Sequence, residues 1–331
     1  MKKQNFSDGL KDNIADNRLK TYNGISYYYD DLGNLIHREL ADGEVQNYFY
    51  DLHDQLVKVE IFKPEQEKET WVYSYDALGR RIGKGRLKNG QEVSDGLEDK
   101  TDFIWDGSHL IQETRSDGLY TYIYTDKDAY EPLAQIRNWT NEEGESYQEN
   151  NYFHCYQIGI PREMTDSEGR LLWFGDYYGW GKLKSETNVT EIVHQPFRLQ
   201  NQYCDQETGL HYNFFRYYEP ECGRFVNQDP IKLSGGNNFY QFAENITGWL
   251  DPLGLATLKL SGRIIRVHAN DVDPFPSMPH GHIYDENLVV DKNGNLYVAG
   301  KCHSKADSIG RLKKKEIQQW QSWLRKQGYT I

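Results

Sequence analysis

The sequence predicts a mainly β protein: a run of repeated β-hairpins followed by a small α+β domain at the C-terminal end. Three observations carry this. Aromatic residues are abundant, with 25 Tyr among 331 residues, while mean hydropathy is low. That profile suits sheets with half-exposed faces better than helical bundles. Short aromatic segments closed by Asp-x-x-Gly recur along the first half of the chain. The charge also reverses: residues 1–255 hold 26 Lys and Arg against 43 Asp and Glu, whereas residues 256–331 hold 12 against 7. A basic end on an otherwise acidic chain points to contact with nucleic acid or a membrane surface.

Residues 1–21 are expected to form a poorly ordered leader. No apolar stretch follows Met1-Lys2-Lys3, and none approaches transmembrane length. The expectation is therefore a protein without a signal peptide or membrane insertion, cytoplasmic as made and exported only by a dedicated machine. Cys155, Cys204, Cys222 and Cys302 are scattered without metal-type pairs, which fits a reducing compartment.

Residues 22–195 repeat themselves. Tyr27-Tyr28-Tyr29-Asp30-Asp31-Leu32-Gly33 is answered by Tyr48-Phe49-Tyr50-Asp51-Leu52-His53-Asp54 and by Tyr73-Ser74-Tyr75-Asp76-Ala77-Leu78-Gly79. Looser copies stand at Ile104-Trp105-Asp106-Gly107 and Thr165-Asp166-Ser167-Glu168-Gly169. Aromatics at i and i+2 share one face of a strand. The Asp-x-x-Gly that follows supplies an Asx-type turn, and Asp42-Gly43 and Asp117-Gly118 give further turns. The unit is a two-strand hairpin that needs its neighbours to bury its aromatic face. Its Tyr and Trp read as packing residues, His154 and His211 as hydrogen-bonded structural residues, and Gly159, Gly209 and Gly223 as turn positions.

These tyrosine–aspartate repeats resemble those of the Rhs/YD-repeat family. The likeness is densest after residue 152, in Phe153-His154-Cys155-Tyr156-Gln157-Ile158-Gly159-Ile160-Pro161-Arg162-Glu163 and Trp173-Phe174-Gly175-Asp176-Tyr177-Tyr178-Gly179-Trp180-Gly181. It continues through Pro196-Phe197-Arg198-Leu199-Gln200-Asn201-Gln202-Tyr203, Glu207-Thr208-Gly209-Leu210-His211-Tyr212-Asn213 and Gly223-Arg224-Phe225. The resemblance implies a repeat sheet over 22–195 that is part of a shell, an Rhs-associated core over 196–255, and a C-terminal toxin over 256–331. It also implies a cognate immunity protein as partner, delivery through a secretion apparatus by a longer Rhs protein, and use in contact-dependent competition between bacteria.

Two Asp-Pro pairs, Asp229-Pro230 and Asp251-Pro252, flank the end of that core. Read from chemistry alone they are ambiguous. Such pairs end strands and cap turns, yet two carboxylates held together share a proton and serve as base and acid. The resemblance implies the second role: Asp229 and Asp251 as an aspartyl self-cleavage dyad cutting between Leu255 and Ala256. Lys232 and Ile246 stand where the family carries Gly and Pro.

Residues 256–331 leave the resemblance behind. Segments around Leu258–Leu260, Arg263–Val267 and Leu288–Val298 read as strands, the last as a hairpin turning on Asn293-Gly294. From Ser308 to Gln327, Ile309, Leu312, Ile317, Trp320 and Leu324 fall at helical spacing, with Lys313, Lys314, Lys315, Arg325 and Lys326 on or near the opposite face. That basic surface is a candidate for binding nucleic acid, although a Lys-rich helix by itself is ordinarily a solvated face. His268, His280, His282 and His303 are the catalytic candidates. One reading makes them base and acid on a ribose 2′-OH and a leaving 5′-oxygen. A second places a divalent metal on the His280-x-His282 pair with a third ligand. A third makes the histidines structural. The expected function is an antibacterial nuclease, RNase before DNase; the alternative is an inactive remnant with a tip that only binds a partner.

Overall fold

The computed structural model describes residues 14–15, 17–88, 96–126, 129–156, 159–189, 193–229, 238–242, 257–260, 263–266, 280–283, 286, 288–298 and 307–326. The chain divides into two compact units, Met1–Gln228 and Asp229–Ile331. Lys232, Ile246, Asp251, Leu255, Ala256, His268 and His303 lie outside the described residues.

The first unit is built on a fifteen-stranded antiparallel sheet whose strands follow one another in chain order, from Thr21–Tyr22 to Leu183–Asn188. The repeat explains its construction. Tyr27, Tyr48 and Tyr73 are buried on the inner face, while Tyr28 and Phe49 between the paired aromatics point outward and are exposed. At several of the turns an Asp or Asn Oδ1 accepts the backbone N–H four residues on, as Asp51 does from Gln55 (3.0 Å), Asp76 from Arg80 (2.9 Å) and Asp166 from Arg170 (2.9 Å). The residue before that N–H sits at positive φ, Gly in Gly33, Gly79 and Gly169 but Asp54 in the second copy. Only Gly takes that conformation without cost, and Asn and Asp tolerate it better than most other residues.

A bulge adjoins the second aromatic of the repeats, as at Ser74/Tyr75, Ile104/Trp105, Ile123/Tyr124 and Asp176/Tyr177. The side chain after it reaches back to a carbonyl on the preceding strand. Tyr75 donates to Leu56 O (2.8 Å), Trp105 to Arg81 O (2.7 Å), Tyr124 to Leu110 O (2.8 Å) and Tyr177 to Pro161 O (2.9 Å). Cys155 occupies the same place, its thiol directed at Pro132 O (3.6 Å). Buried carbonyls need partners, so Tyr and Trp, with a polar tip on an apolar body, serve where Phe would not.

Residues 193–228 belong to this unit. They form a small sheet of Tyr203–Cys204, His211–Asn213, Arg216–Glu219 and Arg224–Phe225. Phe197, Tyr203, Leu210, Tyr212, Tyr217 and Val226 share one core with the inner face of the large sheet. Glu221 accepts Asn23 Nδ2 (2.8 Å) and also binds Lys182, so it spans the first and last strands' ends. His211 Nδ1 donates to Gln202 Oε1 (2.8 Å), and His154 contacts Thr165 Oγ1 (2.9 Å). Gly159, Gly209 and Gly223 all have positive φ. These are structural places, as expected.

The second unit carries a six-stranded antiparallel meander: Thr257–Leu260, Arg263–Arg266, His280–Ile283, Leu288–Asp291, Asn295–Val298 and Gly310–Arg311. One helix, Lys314–Lys326, follows. It starts later than the apolar spacing predicts. Gly310–Arg311 pairs with Asn295 and Leu296 instead, and Ile309 is exposed. The start is fixed by Glu316, whose Oε2 accepts the Lys313 N–H at 2.8 Å, half of a capping box. The hairpin turn is also longer than a two-residue Asn-Gly turn. Asp291 Oδ1 accepts Asn293 N (2.9 Å) and Asn295 N (2.8 Å), and Gly294 has φ +85°, which repeats the turn of the first unit.

Candidate functional site

His280 and His282 lie on one strand of the second unit, paired with Asp291 and Val289 on the next. Residues two apart share a sheet face, and the two imidazole centroids are 5.1 Å apart at 56°. Both are buried, His280 to 2% and His282 to 7% exposure. By the same alternation Val289, Asp291 and Tyr297 belong to that face, and all three are buried. The result is a polar patch inside a small sheet.

Gly281 between them faces the other way. A Cβ there would come within 2.4 Å of Ile265 Cγ2 and 2.8 Å of Trp320 Cη2. Only Gly lets the helix lie against this strand. Trp320, Leu324 and Ile317 pack on that side with Ile265, Ile283, Val290 and Leu296, and Trp320 Nε1 donates to Asp291 O at 2.8 Å. The histidine pair and the helix therefore occupy opposite faces of the sheet. Lys313, Lys314, Lys315 and Arg325 are exposed, and Lys326 ends the helix. The two groups of candidates are not brought into one pocket.

Asp291 would be the natural third ligand or acid on the histidine face, but its oxygens are engaged. Oδ1 holds the turn, and Oδ2 takes Asn295 Nδ2 (2.8 Å) and lies 3.4 Å from the Tyr297 hydroxyl. Among the described residues no group of three His, Cys, Asp or Glu is placed to hold a metal ion. Asp291 and Tyr297 were not candidates from sequence. Their alternation within the hairpin was visible, but the register that sets it beside His280 and His282 was not.

At the seam, Asp229 is 4% exposed and its N–H donates to Phe239 O at 2.9 Å. A turn at Asn238, whose carbonyl accepts Gln241 N (3.1 Å), leads into the buried Tyr240 and Phe242. Asp229 is thus anchored at the start of the second unit.

Residues 151–187 match the family model described as RHS protein. The chain belongs to the RHS family. Over 253 residues it is 36% identical to "Double-stranded DNA deaminase toxin A" of Burkholderia cenocepacia, an alignment spanning 73% of this chain and 18% of that protein. It is 35% identical over 265 residues to "Toxin protein Tse5" of Pseudomonas aeruginosa, covering 73% of this chain and 19% of the relative. It is 30% identical over 246 residues to "Probable deoxyribonuclease RhsA" of Dickeya dadantii, covering 72% and 16%. The chain therefore spans under a fifth of the length of each of these RHS relatives.

Proposed function

We propose that this chain carries part of an RHS core followed by a polymorphic-toxin domain, with residues 256–331 as a nuclease-type effector against competing bacteria. The observation that carries the reading is the histidine pair, two imidazoles 5.1 Å apart on a buried polar face within a compact unit that follows an RHS core. At that separation one ring can take the proton of a ribose 2′-OH while the other protonates the leaving 5′-oxygen. RNA is thus favoured over DNA, which lacks the 2′-OH. The toxin and nucleic-acid names of its relatives support the class. If a divalent metal is used instead, His280 and His282 would be two of its ligands.

The basic helix has a different part to play. Sheet and helix layers are each about 10 Å thick, and exposed charges are screened over about 8–10 Å. Lys313, Lys314, Lys315 and Arg325 would draw nucleic acid to the domain without touching the reacting phosphate at His280 and His282. Asp229 and Asp251 would form the dyad that cuts after Leu255, and a cognate immunity protein and a secretion apparatus engaged by a longer RHS protein complete the system.

Burial of both rings favours a second reading, in which the pair is structural and the domain docks a partner. Inducible expression of the full chain in bacteria, beside His280→Ala and His282→Ala, separates the two. Growth arrest with degraded RNA, lost in both variants, is the expected result; degraded DNA alone would reverse the substrate preference. Toxicity with intact nucleic acid would exclude a nuclease, and harmless wild type would exclude a toxin.

A further inference from the structure

A cavity of about 480 Å³ opens within the first unit, between the start of the large sheet at Ile25 and Arg38 and its last strand at Leu183 and Glu186. Its floor is made by the 193–228 segment, including Arg198, Cys204 and His211. Two of the cations lining it are already neutralised, Arg38 by Glu219 and Lys182 by Glu221. Arg198 is different. It is 3% exposed, and its Nη1 points at oxygens that carry no charge: Gln195 O (3.2 Å), Gln195 Oε1 (2.8 Å) and Phe197 O (2.9 Å). Among the described residues its Nε and Nη2 have no hydrogen-bond partner, and no carboxylate lies within ion-pair distance.

Its neighbours do not compensate. His211 is held neutral by its own burial and by the Arg198 charge, and burial raises the Cys204 thiol above its usual value. A guanidinium taken out of water without a counter-ion costs several kcal/mol. The side-on edge formed by Nε and Nη2 matches the two oxygens of a carboxylate or phosphate.

We propose that this cavity binds a small molecule through one oxyanion group, a carboxylate or a phosphate, seated on the Nε and Nη2 edge of Arg198. Asp42 and Glu186 also line the cavity and carry acidic charge. They disfavour a polyanion, so the ligand carries a single negative group on a neutral or cationic body. This site is independent of the histidine pair and of the seam.

The test uses the purified full chain in a zwitterionic buffer free of carboxylate and phosphate. Acetate, glutamate and inorganic phosphate are titrated separately by calorimetry, and the melting temperature is followed against concentration. Saturable binding of one ion per chain is expected, with a melting temperature that climbs with the logarithm of concentration. Arg198→Gln is expected to weaken the response at least about tenfold, the loss of one charge-assisted pair. Arg198→Lys should retain part of it. Acetate and phosphate titrations tell a carboxylate site from a phosphate site. A wild type indifferent to all three ligands overturns the proposal, as does an unchanged response in Arg198→Gln. Should Arg198→Gln not fold, the wild-type titrations and Arg198→Lys decide alone, and a response in Arg198→Lys equal to that of the wild type also overturns it.

Discussion

Arg81 sits with its guanidinium carbon 4.3 Å from the Tyr212 ring centroid and 4.9 Å from that of Phe103, and its Nη1 reaches Asp205 Oδ2 at 2.5 Å. Lys84 Nζ takes the other oxygen of Asp205 (2.9 Å) and Glu207 Oε2 (2.8 Å). Every side chain here is buried, and the pairs tie strand Arg81–Leu87 to the 193–228 segment. Burial alone would raise the Asp205 carboxyl, but Arg81 and Lys84 hold it below the usual carboxylate range. Asp205→Asn would strand the buried Arg81 and leave Lys84 with Glu207 alone, an expected loss of about 3–5 kcal/mol in urea unfolding. Near pH 6 the pH dependence comes from a different residue. Burial and Arg198 depress the His211 imidazole well below 6.5, so the unfolded chain takes up a proton that the folded chain refuses. Stability then falls as pH drops below about 6.5, by up to about 1.4 kcal/mol per pH unit from this group. Glu113 acts lower down. Burial would raise it, yet His194 and the Tyr122 hydroxyl hold it to about 2. Its contribution is present above about 4.5 and lost as pH falls toward 2. His211→Gln should therefore flatten the urea-derived stability profile between pH 6 and 5 while leaving the loss below pH 4.5. An unchanged slope between pH 6 and 5 would contradict this account of His211.

The hairpin is the element that was most legible in the sequence. Alternating aromatics gave the buried face, and Asp-x-x-Gly gave the turn, because both are local properties of a few adjacent residues. What they did not give is the strand count. Strands such as Leu97–Asp106, Pro132–Thr140 and Ser146–Tyr156 lack the full motif and are carried by their neighbours' pairing. The bulge just before the second aromatic was also invisible, since it shows only when two strands are in register. It makes a specific demand on side chains. Tyr124→Phe should leave the Leu110 carbonyl buried without its donor, at a cost of about 1–3 kcal/mol. Tyr50 holds the equivalent place, yet its buried hydroxyl has no hydrogen-bond partner among the described residues. Tyr50→Phe should therefore be neutral or mildly stabilising. Urea unfolding of the two variants checks the pair, and equal losses would show that the contact to the carbonyl is not what the aromatic provides. The helix start is a smaller case of the same limit: apolar spacing continued back to Ser308, but a strand pairing and the Glu316 cap set the boundary at Lys314.

At the scale of the whole chain, charge and composition set residues 256–331 apart, and the His280-x-His282 spacing singled out a pair that the structure puts on one face of a strand. Its separation from the basic helix could not be read, because periodicity says which residues share a face and not which face a later helix covers. The boundary itself also carries a consequence for the proposed cut. Compactness divides the chain at Gln228–Asp229, whereas cleavage after Leu255 would fall inside the second unit. Residues 229–255 would stay covalently on the RHS core while belonging to the same compact unit as residues 256–331. Should the unit stay packed after the cut, the two fragments remain together, and cleavage and release are separate events. Intact mass under denaturing conditions should then show species of residues 1–255 and 256–331, while size exclusion under native conditions keeps them together. Asp229→Ala and Asp251→Ala should each give one full-length mass, since a dyad that shares a proton cannot work with one carboxylate. Cleavage followed against pH should rise and fall, because one aspartate must be ionised while the other is protonated. A wild type that stays whole across that pH range would leave Asp229 as a buried anchor for the second unit and remove the dyad from the mechanism.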